Sequence, residues 1–167
     1  MAGTEIMVFD NYGLLEVKNT KIVLDMMGVK QETDTKVIMD GIWIYSIDNK
    51  TNTAAKMENP LFSVLPKNTD LEKIGDELIQ KMGKKIGKET INGKDCEIWE
   101  VEQMMSKIWV WKSIPIKSEI KTMGMNITKI ATSIEVNIAI LEEKFNLPKE
   151  IDAKNLKKID INSIMEN

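Results

Sequence analysis

The chain has no histidine and no arginine; each of its 23 basic residues is a lysine. Without imidazole there is no Ser-His or Cys-His nucleophile pair, no histidine metal ligand and no imidazole proton switch. Without guanidinium there is no planar fork for a bidentate grip on phosphate or carboxylate. The one cysteine, Cys96, has no partner for an internal disulfide, and its apolar stretch points to a buried, inert thiol. No stretch approaches the roughly 18 uninterrupted apolar residues that cross a bilayer. The opening Met1-Ala2-Gly3-Thr4-Glu5 lacks the basic region and apolar core of an export signal, so the sequence fits a cytoplasmic protein or one whose signal has been removed. A net charge of -3 gives no pull toward phosphate backbones, so a nucleic-acid partner is not expected.

What is present fits an ordinary folded domain, with 43% hydrophobic and 29% charged residues. A chain of 167 residues suits one core better than two small ones, so a single domain over 1–167 is expected. In the first third, apolar residues recur at every second position, the period of a strand with one buried face. Leu15 and Val17 alternate with Glu16 and Lys18, and Ile22, Leu24 and Met26 with Lys21 and Asp25. Asp40-Gly41 between Val37-Ile38-Met39 and Ile42-Trp43-Ile44-Tyr45 predicts a tight hairpin, and Asn92-Gly93 before Cys96-Glu97-Ile98-Trp99 predicts another. Asp48-Asn49-Lys50-Thr51 reads as a turn; it lacks the glycine and terminal glutamate of a calcium loop.

Between Pro60 and Pro66 a short apolar run reads as a packed loop or flap. Thr69 to Gly83 is the one clear amphipathic helix: Thr69 and Glu72 have capping-box spacing, Leu71, Ile74, Leu78 and Met82 share a face, and Gly83 stops it. Ile108-Trp109-Val110-Trp111 places two indoles on one side of a strand and two aliphatics on the other. Pro115 is expected to bend or interrupt the chain leading into Ile116-Lys117-Ser118. A long strand is then expected from Met123-Gly124 through Ile127, Ile130, Ile134, Val136 and Ile138. Phe145, Leu147 and Pro148 end the compact part, leaving 149–167 as a loosely docked tail in the form of a short helix or terminal strand. The order, strands then one helix then strands, implies an α+β fold dominated by antiparallel β, with the helix laid across a curved sheet.

Carboxylate pairs such as Glu142-Glu143 and Asp76-Glu77 sit in no catalytic or metal motif and read as solvated, so neither catalysis, cofactor nor metal is expected. The aromatic and methionine set is more informative. Trp43, Tyr45, Trp99, Trp109 and Trp111 lie on expected strands, and the 12 methionines include Met26 and Met39. Each can be plain core packing. Collectively they form a soft, polarizable surface suited to apolar ligands of varied shape. With Leu71, Ile74 and Leu78 from the helix they are the candidate ligand-lining residues.

Five stretches, Gly3 to Gly13 (GTEIMVFDNYG), Val37 to Asp48 (VIMDGIWIYSID), Gly87 to Glu100 (GKETINGKDCEIWE), Lys107 to Glu119 (KIWVWKSIPIKSE) and Phe145 to Pro148 (FNLP), resemble in order the LolA-like superfamily. The likeness is greater to its outer-membrane-lipoprotein-sorting-like periplasmic members. The resemblance implies an open β half-barrel whose concave face is covered by helix and loop around an apolar cavity. It also implies export, with Met1 in place of a removed signal peptide, and a monomeric carrier of lipid or lipoprotein acyl chains in the periplasm that meets a membrane-associated protein transiently. The family's carrier holds its lid with an arginine, which this chain lacks. A sensory or scaffold domain that binds a protein partner on the same concave surface is the alternative.

Overall fold

The computed structural model describes residues 2–26, 29–60, 70–122 and 125–159, with the side chains of Asp25, Met26, Glu72 and Leu78 also outside the description. The expected flap after Pro60, the Thr69 cap, Met123-Gly124 and the last residues of the tail lie outside it. In chain order the strands are β1 (Ala2–Asp10), β2 (Leu15–Met26), β3 (Val29–Asp40), β4 (Trp43–Asp48), β5 (Thr53–Glu58), β6 (Lys84–Ile91), β7 (Lys94–Val101), β8 (Ser106–Trp111), β9 (Ile114–Thr122), β10 (Met125–Ile130) and β11 (Lys157–Lys158). Among the described residues the α-helix α1 (Leu71–Met82) precedes β6. The class is α+β and mainly antiparallel, as the sequence predicts.

The chain forms two compact units, Met1–Thr69 with Ala139–Asn167, and Asp70–Ile138. In the first, β1 to β5 form an antiparallel meander, and β11 adds in parallel beside β5. In the second, β6 to β10 form another meander. Where the sequence suggests one core, the buried residues gather into two clusters. Val17, Ile38, Tyr45, Ile47 and Phe145 make the first, and Ile91, Cys96, Trp109 and Ile116 the second. The physical reason is the order of pairing: every strand but β11 bonds a sequence neighbour, so each meander closes on its own side chains.

Turn chemistry follows the residues closely. Asn92 (φ 49°) and Gly93 (φ 73°) supply the two positive φ angles of the predicted hairpin. The other hairpin is shifted by one residue: Gly41 (φ 93°) and Ile42 make the bend, because Asp40 stays in β3. Asp40 Oδ1 accepts the Trp43 amide (2.8 Å) and Oδ2 the Tyr45 hydroxyl (3.2 Å), while buried Asn59 donates to Gly41 O (2.9 Å). In the turn after β4, Asp48 Oδ1 accepts the amides of Lys50 (2.8 Å) and Thr51 (3.0 Å), which hold its carboxyl below the usual range. The β8–β9 hairpin carries no sequence signal at all, yet Lys112 (φ 49°) and Ser113 (φ 62°) both take the left-handed conformation that L side chains resist.

Three expectations are corrected. Pro115 does not interrupt β9, but the register beside it is bulged: Trp109 pairs with Lys117 and Val110 with Pro115, leaving Ile116 as the extra residue, the local bend that is the other expectation. The expected long strand ends at Ile130, and residues 131–141 form no ladder. Two of the alternating residues find a core: Ile134 packs on the second cluster and Ile140 on the first, while Val136 and Ile138 stay exposed. The region after Pro148 holds a terminal strand, β11, as one of the expected forms, but among the described residues it is not loosely docked. Ile151, Ala153 and Leu156 pack on the first cluster, Lys56 Nζ donates to Ala153 O (2.6 Å), and the Ile159 amide donates to Lys56 O (2.8 Å).

Phe145→Ala is expected to destabilise the protein by about 3 kcal/mol in urea titration, as a core deletion does and a tail substitution does not. In the same assay Gly93→Ala is expected to cost about 1 kcal/mol and Lys112→Asn to be near neutral, its easier left-handed backbone offset by loss of the ammonium over Trp111.

Candidate functional site

Strand registers sort the candidate residues onto four sheet faces. In the first unit, Tyr45 pairs with Ile38, which pairs with Val17, so Trp43, Tyr45 and Ile47 share the face of the first core. That face is covered by the chain's own C-terminal segment, through Phe145, Leu147 and Leu156. Tyr45 is 7% exposed, and burial, with Asp40 beside it, pushes its hydroxyl pKa up. The Lys56 and Lys158 ammonium groups stand 5.0 and 5.4 Å from the Trp43 ring centre. Met39 pairs with Ile44 and therefore lies on the opposite face, with Val37 and Met57, none of which joins either core cluster. Met26 ends β2, and its side chain is outside the description.

In the second unit, Trp109 pairs with Ile98 and shares a face with Trp111, while Ile108 and Val110 turn the other way, as their alternation predicts. Trp109 belongs to the Ile116 cluster; its Nε1 donates to Glu89 Oε2, and the Lys117 ammonium caps its ring at 3.9 Å. Trp111 carries Lys94 at 4.2 Å and Lys112 at 5.1 Å. Ala131 and Ile134 cover this face: the Ala131 amide donates to Ile116 O (2.8 Å) and Ala131 O accepts Asn92 Nδ2 (3.0 Å). Cys96 is buried here at 1% exposure, with its thiol pKa pushed up by that burial.

Trp99 takes the opposite face. It pairs with Ile108, Val101 with Ser106, Ser106 with Ile120, and Ile120 with Ile127. Trp99, Val101 and Ser106 are buried without belonging to the Ile116 cluster. The element of this unit placed to cover them is α1. It runs straight into β6 through Gly83, where a Cβ would press within 3.2 Å of Val101, and its other half is tied to the β8–β9 turn by the Ser113 hydroxyl donating to Asp76 (2.7 Å). Those two attachments lie at opposite ends of the sheet, so the helix crosses it. Leu71, Ile74 and Ile79 on the helix, and Ile108, Val110, Ile120 and Ile127 on the sheet, all remain half-buried. Glu97, at the margin of this face, is ion-paired with Lys85, which holds its carboxyl below the usual range.

The structure thus keeps Trp99 with the helix residues Leu71 and Ile74 in one layer, and sets Trp109 and Trp111 on the reverse of the same sheet. Trp43, Tyr45 and Met39 belong to the other unit. Ser106 is the residue that sequence reasoning missed. Its signal is parity: in Ser106-Lys107-Ile108-Trp109-Val110 the serine shares the phase of two aliphatics.

Among the described residues no group of three or more acidic or cysteine side chains is arranged to hold a metal ion, and no helix is long and apolar enough to cross a membrane. No protein-family model matches the chain, and no curated protein is similar to it.

Because Trp109 is core, Trp109→Asp is expected to abolish the cooperative thermal transition rather than alter a binding surface, since it loses several kcal/mol of packing and buries a charge. A cooperative near-ultraviolet circular dichroism melt within a few degrees of the parent would contradict this.

Proposed function

We propose that this protein is a periplasmic, non-catalytic binding protein or carrier for lipid, lipoprotein acyl chains or another apolar ligand, held between α1 and the Trp99 face of its sheet. One observation carries the reading. Leu71, Ile74 and Ile79 of the helix and Ile108, Val110, Ile120 and Ile127 of the sheet face it crosses all stay only half-buried. Apolar surface of that kind is favourable to cover: at ~25 cal/mol per Å2, burying roughly 300 Å2 of acyl chain contributes on the order of 7 kcal/mol before ordering costs. A ligand held this way needs no cofactor and no reactive side chain. The LolA-like half-barrel is the finer fold that goes with the proposal; two consecutive meanders and a helix crossing a sheet face support it, as does the sequence resemblance, which also supports the periplasmic location and the monomeric state.

A second reading is a scaffold that binds a protein partner, and a different observation favours it. Strand β1 bonds only β2 among the described residues and leaves Ile6 67% exposed, Met7 39% and Phe9 38%. Such an edge can accept a partner's strand through main-chain hydrogen bonds.

The test is uptake of a fluorescent fatty acid by delipidated protein, alongside native mass spectrometry of the protein as purified. Copurifying lipid and saturable uptake are expected, with Ile108→Asp weakening uptake at least tenfold while the circular dichroism melt stays cooperative. Absence of both lipid and uptake in the parent protein, or undiminished uptake in folded Ile108→Asp, would overturn the proposal.

A further inference from the structure

Among the described residues Ser106 Oγ is buried with no hydrogen-bond partner, in a residue only 6% exposed. Its cross-strand neighbours are Val101, itself 1% exposed, and Ile120, so nothing on either side can accept its proton. A hydroxyl stripped of water and left unpaired destabilises the fold that holds it, and an alanine would fill the same place without that cost. Serine also has no conformational reason to stand here: β8 begins at Ser106 in plain extended backbone, and neither the turn before it nor the strand after it uses the side chain.

We infer that Ser106 anchors the ligand: its hydroxyl donates a hydrogen bond to the carbonyl or carboxylate oxygen at the head of an acyl chain whose apolar part lies along Ile108, Val110 and Ile120. The inference rests on the apolar-ligand reading and narrows it to ligands with an oxygen acceptor at one end. Position supports this assignment. Ser106 stands at one end of the Trp99 face, and beyond it Ile108 and Val110 continue the same side of β8 as an aliphatic track. A chain laid along that track with its head at Ser106 meets a buried, unpartnered donor first and then the aliphatic side chains of Ile108 and Val110, with Ser118 and Glu97 flanking the track on the neighbouring strands. An acyl carbonyl offers the complement, a single strong acceptor followed by methylenes. Because the hydroxyl is covered in this state, a ligand reaches it only by displacing the side chains above it, so association is expected to be slower than diffusion allows.

The experiment compares the parent protein with Ser106→Ala, using N-phenyl-1-naphthylamine as an uncharged reporter displaced by palmitate, methyl palmitate or hexadecane. The expected result has two parts. Ser106→Ala melts about 3 °C higher without ligand, because the orphaned hydroxyl is gone. It also binds both palmitate and methyl palmitate about tenfold more weakly while hexadecane displaces the reporter as before. Equal weakening for acid and ester identifies the carbonyl as the acceptor; weakening for palmitate alone identifies the free carboxylate. Undiminished affinity for both overturns the anchoring role and leaves the apolar-ligand reading standing. A lower melting temperature for Ser106→Ala overturns it too, since the hydroxyl would then have a structural partner. If the parent takes up neither the reporter nor any competitor, the apolar-ligand reading itself fails.

Discussion

Each sheet in this chain carries apolar side chains on both faces, and a face that clusters them in water has to be covered. That constraint accounts for most of what is irregular in the fold. In the first unit the Tyr45 face is covered by a segment with little ladder of its own, running from Ile140 through Phe145 to Leu156. In the second unit Ala131 and Ile134 cover the Trp109 face and α1 crosses the Trp99 face. Segments without regular hydrogen bonding keep a fixed path because their spaced aliphatic residues each find a sheet face to bury.

The absence of arginine leaves lysine to make the contacts with aromatic rings. Five lysine ammonium groups lie within 5.4 Å of a ring centre on Trp43, Trp109 or Trp111. Each such contact is worth about 0.5–1 kcal/mol at an exposed site, and the lysine stem also shields indole surface. These three tryptophans are thereby engaged by the protein itself. Trp99 differs: among the described residues no lysine caps its ring, its side chain donates a hydrogen bond to Glu97 instead, it belongs to neither core cluster, and it lies on the face that the helix crosses.

Local chemistry in the sequence announced much of the fold. Period-two alternation located the strands, Asn92-Gly93 its hairpin, and the Leu71-Ile74 spacing the helix, which begins within two residues of the expected start. Non-local effects were illegible. The Lys112-Ser113 turn has no turn residues because it is set by the strands on either side and by the bond from Ser113 to Asp76. Alternation after Ile130 looked like a strand, but its phase is not that of burial: Ile134 and Ile140 pack on the cores while Val136 and Ile138 between them are exposed. Candidate residues could not be sorted onto faces from alternation alone when both faces are apolar. Trp109 and Trp99 look alike in sequence, and only the register through Ile98 and Ile108 sets them on opposite sides. Ser106 passed unnoticed because an isolated serine is ordinary until its surroundings are known.

The chain's sole thiol sits where it can serve as a clock. Cys96 lies inside the second core, 1% exposed, with its sulfur donating to Lys94 O at 3.3 Å. An alkylating reagent meets the thiolate only when that core opens, so the rate of modification of unaltered protein measures how often the second unit breathes. Since no other cysteine competes for the label, the motion of one half can be timed without engineering a probe into it.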